Sequence, residues 1–140
     1  MRRIELPIVD WRLPTGKGCF MNDVELKLRT KKFALRVMKL VEALPAGVVG
    51  KAIGMQLIRS ATSVGANYRA ACRGRSKAEF IAKLHIVVEE ADECCYWLEL
   101  VIEASLLPES KVAPLLDEAN QLTAFMVASR KSAQGRIADC

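Results

Sequence analysis

At 140 residues, 51% apolar and 26% charged, the chain carries enough material for one domain and hardly enough for two, with the composition of a soluble globular protein. No uninterrupted apolar run approaches the roughly 18 residues of a membrane span, and Glu5, Pro7 and Asp10 interrupt the N-terminal stretch where a signal peptide needs an unbroken apolar core. The formal net charge of +5 hides a strong asymmetry: residues 1–83 hold 17 Lys/Arg against 6 Asp/Glu, and residues 84–140 hold 4 against 10. Such a dipolar chain can offer a basic surface to a polyanion, or can simply have two solvated faces of opposite sign. Five cysteines without a Cys-x-x-Cys spacing fit a reducing, cytoplasmic setting better than a disulfide framework or a zinc site.

Residues 1–21, with two prolines, a Thr15-Gly16-Lys17-Gly18 stretch and no periodicity, read as an irregular arm, and Met21 is an alternative start. From Asn22 the pattern turns helical. Asn22 with Glu25 forms a capping box, and Leu26, Thr30, Phe33, Val37, Leu40 and Leu44 recur at spacings of four and three as one helix seam, closed by Pro45 and Gly47. A second helix is expected over Val48–Arg73, with its seam at Leu57, Ala61, Val64, Tyr68 and Ala71 and with Gly74 as a left-handed C-terminal cap. Its small residues, Gly65 above all, predict a close helix contact, because glycine within a helix costs about 1 kcal/mol relative to alanine.

Ser76-Lys77-Ala78-Glu79 opens a third helix with a second capping box. Its apolar arc runs from Phe80 through Leu84, Val87, Ala91, Cys94, Cys95 and Leu98 to Val101, fading at Ser105. Ile86, Trp97 and Leu100 lie away from that arc and mark a candidate subunit interface. A fourth helix covers about 110–131, with Leu115, Leu116, Ala119, Leu122 and Met126; Pro114 must sit in its first turn or kink it. No alternating strand pattern occurs. The fold class is therefore all-α: an antiparallel up-down four-helix bundle over residues 22–133, with a tail at 134–140.

Catalytic and metal chemistry find no foothold. The one histidine, His85, is preceded at position 82 by alanine, so the Glu-x-x-His of di-metal bundles is missing; His85 and Glu89 at i, i+4 read as a polar pair. Glu89, Glu90, Asp92 and Glu93 form an acidic cluster that could hold a cation or an inter-subunit salt bridge, with a solvated face as the default reading, and no phosphate loop or nucleotide fingerprint is present. No cofactor and no enzyme activity are expected.

The basic residues carry the functional expectation. Arg29, Lys32, Arg36 and Lys39 form a stripe beside the seam of the first helix, and Arg59, Thr62, Ala66, Arg69 and Arg73 one on the second, continuing into Arg75 and Lys77. Cations at this density neutralise phosphates without reading bases, and no aromatic platform lies among them for stacking single strands.

The run from Gln56 to Tyr68 (QLIRSATSVGANY), followed by Ser76-Lys77-Ala78-Glu79-Phe80, resembles the bacterial four-helix-bundle proteins related to the ribosomal-RNA intervening-sequence protein. Arg29-Thr30-Lys31-Lys32-Phe33-Ala34 and Tyr96-Trp97-Leu98-Glu99-Leu100 are similar to the same family, and the resemblance spans about residues 24–132. It implies an up-down bundle assembled as a homopentameric ring. Within the motif Arg59 and Asn67 read as structural, because a polar residue at a tight helix contact usually satisfies buried partners. A more distant branch comprises accessory proteins of retroelements that bind a reverse transcriptase and nucleic acid. The combined expectation is a non-enzymatic homo-oligomer that binds RNA or DNA, or a nucleic-acid-processing protein, and no membrane. The alternative is a protein–protein scaffold with no nucleic-acid role. The two readings differ on whether the basic stripes converge on one exposed surface.

Overall fold

The computed structural model describes residues 22–138; the N-terminal arm expected at 1–21 and the last two residues of the tail lie outside them. Four helices follow in order: α1 (Asp23–Glu42), α2 (Val48–Cys72), α3 (Lys77–Glu103) and α4 (Glu109–Ala138), with no strand among the described residues. Short turns make successive helices antiparallel neighbours. The α2–α3 and α3–α4 contacts are the most extensive, α1 packs on α2, and α1 meets α4 most lightly of the adjacent pairs.

The α1 seam is buried as its spacing predicts, at Leu26, Thr30, Phe33, Val37 and Leu40, and so is the α2 seam at Leu57, Ala61, Val64, Tyr68 and Ala71. Both elements of the Asn22 capping box form: the Glu25 amide donates to Asn22 Oδ1 (2.9 Å) and the Asn22 amide donates to a Glu25 carboxylate oxygen (3.0 Å). At Ser76 only half of the box is made. The Glu79 amide donates to Ser76 Oγ (3.1 Å), but the Glu79 carboxylate reaches back one residue further and accepts the Arg75 amide (2.6 Å).

Three boundaries differ from expectation. Gly74 does not take a left-handed conformation; α2 is capped by Arg73 at φ −97°. The small residue at 74 answers a need for space instead, since a β-carbon there would lie 3.1 Å from the Ala71 carbonyl oxygen and 3.3 Å from the Phe80 amide. The left-handed residue is Ser105 (φ 54°), after α3, where the Ser105 amide donates to the Ile102 carbonyl and the Leu106 amide to that of Val101. That pairing is a Schellman motif built on a non-glycine residue. Finally, α4 runs to Ala138, through residues assigned to a tail, and Pro114 sits in its second turn rather than its first. Ser129 and Ala133 extend the buried seam of α4 past Met126, which keeps the helix on the bundle.

Three contacts fix the levels of the first three helices. Thr30 lies against Gly65 and Val41 against Gly54, which register α1 with α2; Ser60 accepts from the Cys94 thiol (3.3 Å), which registers α2 with α3. Residue 31 of α1 is thereby level with residue 89 of α3, to within about a turn, and these two helices run in the same direction.

Candidate functional site

The two basic stripes do not share a flank. Thr30 turns toward α2, while Arg29, about 100° around the helix, turns toward α4. Its guanidinium donates to both carboxylate oxygens of Glu118 and to Gln121 Oε1 (2.8 Å), and lies 5.7 Å from the centre of the Phe125 ring. Arg29 is thus a cross-helix tie. Lys32, Arg36 and Lys39 continue along α1 on that α4-side flank and its outer surface, all exposed. Arg69 is exposed on the α1 side of α2 and Arg73 on its outer face, and Arg75 and the half-buried Lys77 follow in the α2–α3 turn.

The convergence that does occur is at one end of the bundle. The α2–α3 turn, the start of α1 and the last turns of α4 lie at the same end, so Arg69, Arg73, Arg75, Lys77, Lys83, Arg130 and Lys131 share that end, distributed around its circumference. The Arg130 guanidinium donates to His85 Nδ1 (3.3 Å), which anchors this part of α4 against α3. His85 therefore pairs across helices and not with Glu89. Sequence reasoning missed Lys83, Arg130 and Lys131 because they are distant in the chain and two of them belong to its acidic half. Among the described residues the carboxylates of this end are already engaged: Glu25 and Glu79 accept backbone amides, and Asp23 pairs with Lys27 (3.5 Å).

The acidic cluster of α3 is divided in the same way. Glu90 and Glu93 both take the Arg59 guanidinium, and Glu93 also accepts the Trp97 indole N–H (3.0 Å). The Arg59 bond, followed by that of Trp97, holds the Glu93 carboxyl below the usual carboxylate range. Glu89 and Asp92 stay exposed. Asn67 donates to the Ser63 carbonyl oxygen (2.9 Å) and hydroxyl (2.8 Å) within its own helix, a structural role. Burial pushes the Cys94 thiol up to about 12 and raises that of Cys95 as well, so neither is a poised nucleophile. Among the described residues no group of three His, Cys, Asp or Glu side chains could hold a metal ion, and no helix is long and apolar enough to cross a membrane.

A family profile described as 23S rRNA-intervening sequence protein matches residues 22–128, the capped start of α1 to the last third of α4. The chain belongs to this 23S rRNA-intervening sequence protein family. Among solved structures, it is similar to a protein of unknown function from the S23 ribosomal protein family of Bacteroides thetaiotaomicron, with 30% identity, a TM-score of 0.70, and coverage of 79% of this chain and 99% of that one. No curated protein matches the chain. Within the family match fall both cross-helix arginines, Arg29 and Arg59, and the contact of Thr30 with Gly65. Of the basic end it takes in the start of α1, the α2–α3 turn and Lys83, whereas Arg130 and Lys131 lie just beyond it.

The faces of α1 and α3 turned away from the core carry second seams. On α1 these are Val24 (62% exposed), Leu28 (52%), Lys31, Leu35 (51%) and Met38 (37%), spaced by four and three. On α3 the matching positions are Ala82, Ile86, Glu89, Glu93 and Tyr96. Of the interface residues expected from sequence, Ile86 is exposed on this seam, Leu100 is half-buried at its end, and Trp97 lies half-buried beside it.

Proposed function

We propose that this member of the intervening-sequence protein family is a non-enzymatic homo-oligomer that binds RNA through the basic end of its bundle, without reading sequence. The observation that carries this is the pairing pattern of the cations. Among the described residues, Arg29 and Arg59 are held by carboxylates of other helices, while Arg69, Arg73, Arg75, Lys77, Lys83 and Lys131 make no ion pair with the protein. The described acids of that end are committed, Glu25 and Glu79 to helix starts and Asp23 to Lys27. Cations left unpaired at one end, with no aromatic platform among the described residues there, suit phosphates better than bases. Lys32, Arg36 and Lys39 add an outer track along α1. A basic face of this kind gains affinity when several copies present it together, as in the pentamer that the family resemblance implies.

A labelled hairpin RNA and a single strand of equal length, titrated at several salt concentrations, test this. Binding is expected to fall with a slope of about −0.9 per phosphate contact on the duplex and about −0.7 on the single strand in log K against log salt. Reversing Arg73 and Arg75 to Glu flattens both slopes. No binding at low salt by the folded oligomer overturns the reading and leaves the alternative, a protein–protein scaffold, which the exposed apolar seam of α1 favours.

A further inference from the structure

The outer seams of α1 and α3 match in spacing, level and charge, and that match specifies how copies of the chain meet. Leu28, Lys31 and Met38 come within about a turn of the levels of Ile86, Glu89 and Tyr96, because the contacts of Thr30 with Gly65 and of Cys94 with Ser60 set the heights of the three helices. We infer that the outer seam of α1 on one copy packs in parallel against the outer seam of α3 on the next, with Lys31 facing Glu89, Leu28 on Ile86, Met38 on Tyr96, and Leu35 beside Glu93, whose carboxylate stays on Arg59 and Trp97. The inference rests on the homo-oligomeric part of the function proposed above and adds its interface.

A second copy is the occupant because each seam carries what the other lacks. A helix face spaced by four and three is built to receive another helix. The cation at the middle of the α1 seam has no ion-pair partner among the described residues, and neither has the anion at the middle of the α3 seam. A two-fold contact of like seams is disfavoured by the same charges. Lys31 is the midpoint of the α1 seam from Val24 to Met38, so an antiparallel α1–α1 pair would set Lys31 against Lys31. Glu89 is likewise the midpoint between Ala82 and Tyr96. The favoured contact is therefore heterologous, and repetition of a heterologous contact closes a ring when its rotation allows. In such a ring α1 and α3 are parallel across every interface, and all the basic ends lie on one face of the assembly.

Sedimentation equilibrium on the full chain, with circular dichroism to confirm helix content, tests the interface. The parent protein should sediment as a multiple of 15.5 kDa, and Leu28→Glu should sediment as a folded monomer. Lys31→Glu and Glu89→Lys should each raise the concentration for half-dissociation by about tenfold or more, since like charges then face each other. The double variant should restore assembly to near the parent level. A monomeric parent protein overturns both this interface and the oligomeric reading. A stable oligomer indifferent to all four variants overturns the interface alone, and single-charge losses that the double variant fails to rescue overturn the pairing of Lys31 with Glu89.

Discussion

The Thr30 hydroxyl stands 3.2 Å from the point a β-carbon on Gly65 would occupy. That hydroxyl is held in place by its own helix, donating to the Leu26 (2.8 Å) and Lys27 (3.1 Å) carbonyl oxygens. The α1–α2 contact is closed around the missing side chain of Gly65, which the run of small residues in α2 anticipated.

Replacing Gly65 therefore tests the contact by size. Gly65→Ala should be close to neutral, because better helix propensity offsets a displacement of Thr30 by a few tenths of an ångström. Gly65→Leu should lose about 1–3 kcal/mol through overpacking. Urea denaturation midpoints measure both, and an unchanged midpoint for Gly65→Leu would contradict the packing.

The buried thiol of Cys94 sets a limit at alkaline pH. Its acidity in the fold is pushed to about 12, against an ordinary value of 9.0, first by burial. Between those values the unfolded chain releases a proton that the folded chain keeps, so the stability contribution is complete below pH 9 and declines as pH rises toward 12. One such group gives a slope of about −1.4 kcal/mol per pH unit in that window. Unfolding curves at pH 8 to 10.5 should show this slope reduced in Cys94→Ala; an unreduced slope would assign the alkaline loss to other groups.

Ser105 holds a left-handed conformation that costs an L-residue about 1–2 kcal/mol and glycine almost nothing. Ser105→Gly should raise stability by about 0.5–1 kcal/mol, after allowance for the greater freedom of glycine in the unfolded chain. A lowered melting temperature would show that the hydroxyl makes a contact worth more than the strain.

Arg29 and Arg73 belong to the two stripes read from sequence, and the structure gives them different work. Arg29→Ala should lose about 1 kcal/mol of stability, since its ion pair with Glu118 is only partly shielded from water, and should leave RNA affinity within about twofold. Arg73→Glu should cost no more than about 1 kcal/mol, from an acid at the end of α2, and reduce RNA affinity at low salt by about tenfold. Thermal melts and RNA titrations on both variants separate the two roles, and an exchange of outcomes would refute the assignment.

Core positions were legible because a single periodicity controls them. Leu26, Phe33 and Val37 on α1, or Leu57, Val64 and Tyr68 on α2, could only be buried together. Helix ends were less legible, since Gly74 and Ser105 each satisfy a local requirement that composition does not announce. Pro114 obscured the start of α4 for a related reason. It removes the amide that would bond to the Ser110 carbonyl, yet its fixed φ is helical, so the chain continues through it. The basic end lay beyond sequence reading, because a stripe found on one helix does not reveal which neighbour lies beside it. Arg29 could not be told from Lys32 until Glu118, 89 positions away, was placed beside it.

The light contact of α1 with α4 gives the bundle an opening edge. Three of its four lateral contacts are broad, and the fourth, of α1 with α4, is the lightest, with the Arg29–Glu118 ion pair across it. When the domain breathes, α1 should swing out on the 43–47 turn as a leaf, ahead of any separation of α2 from α3, and its backbone amides should exchange with solvent first. A neighbour gripping the outer side of that leaf would latch it, so assembly and rigidity of the N-terminal helix should rise together with protein concentration.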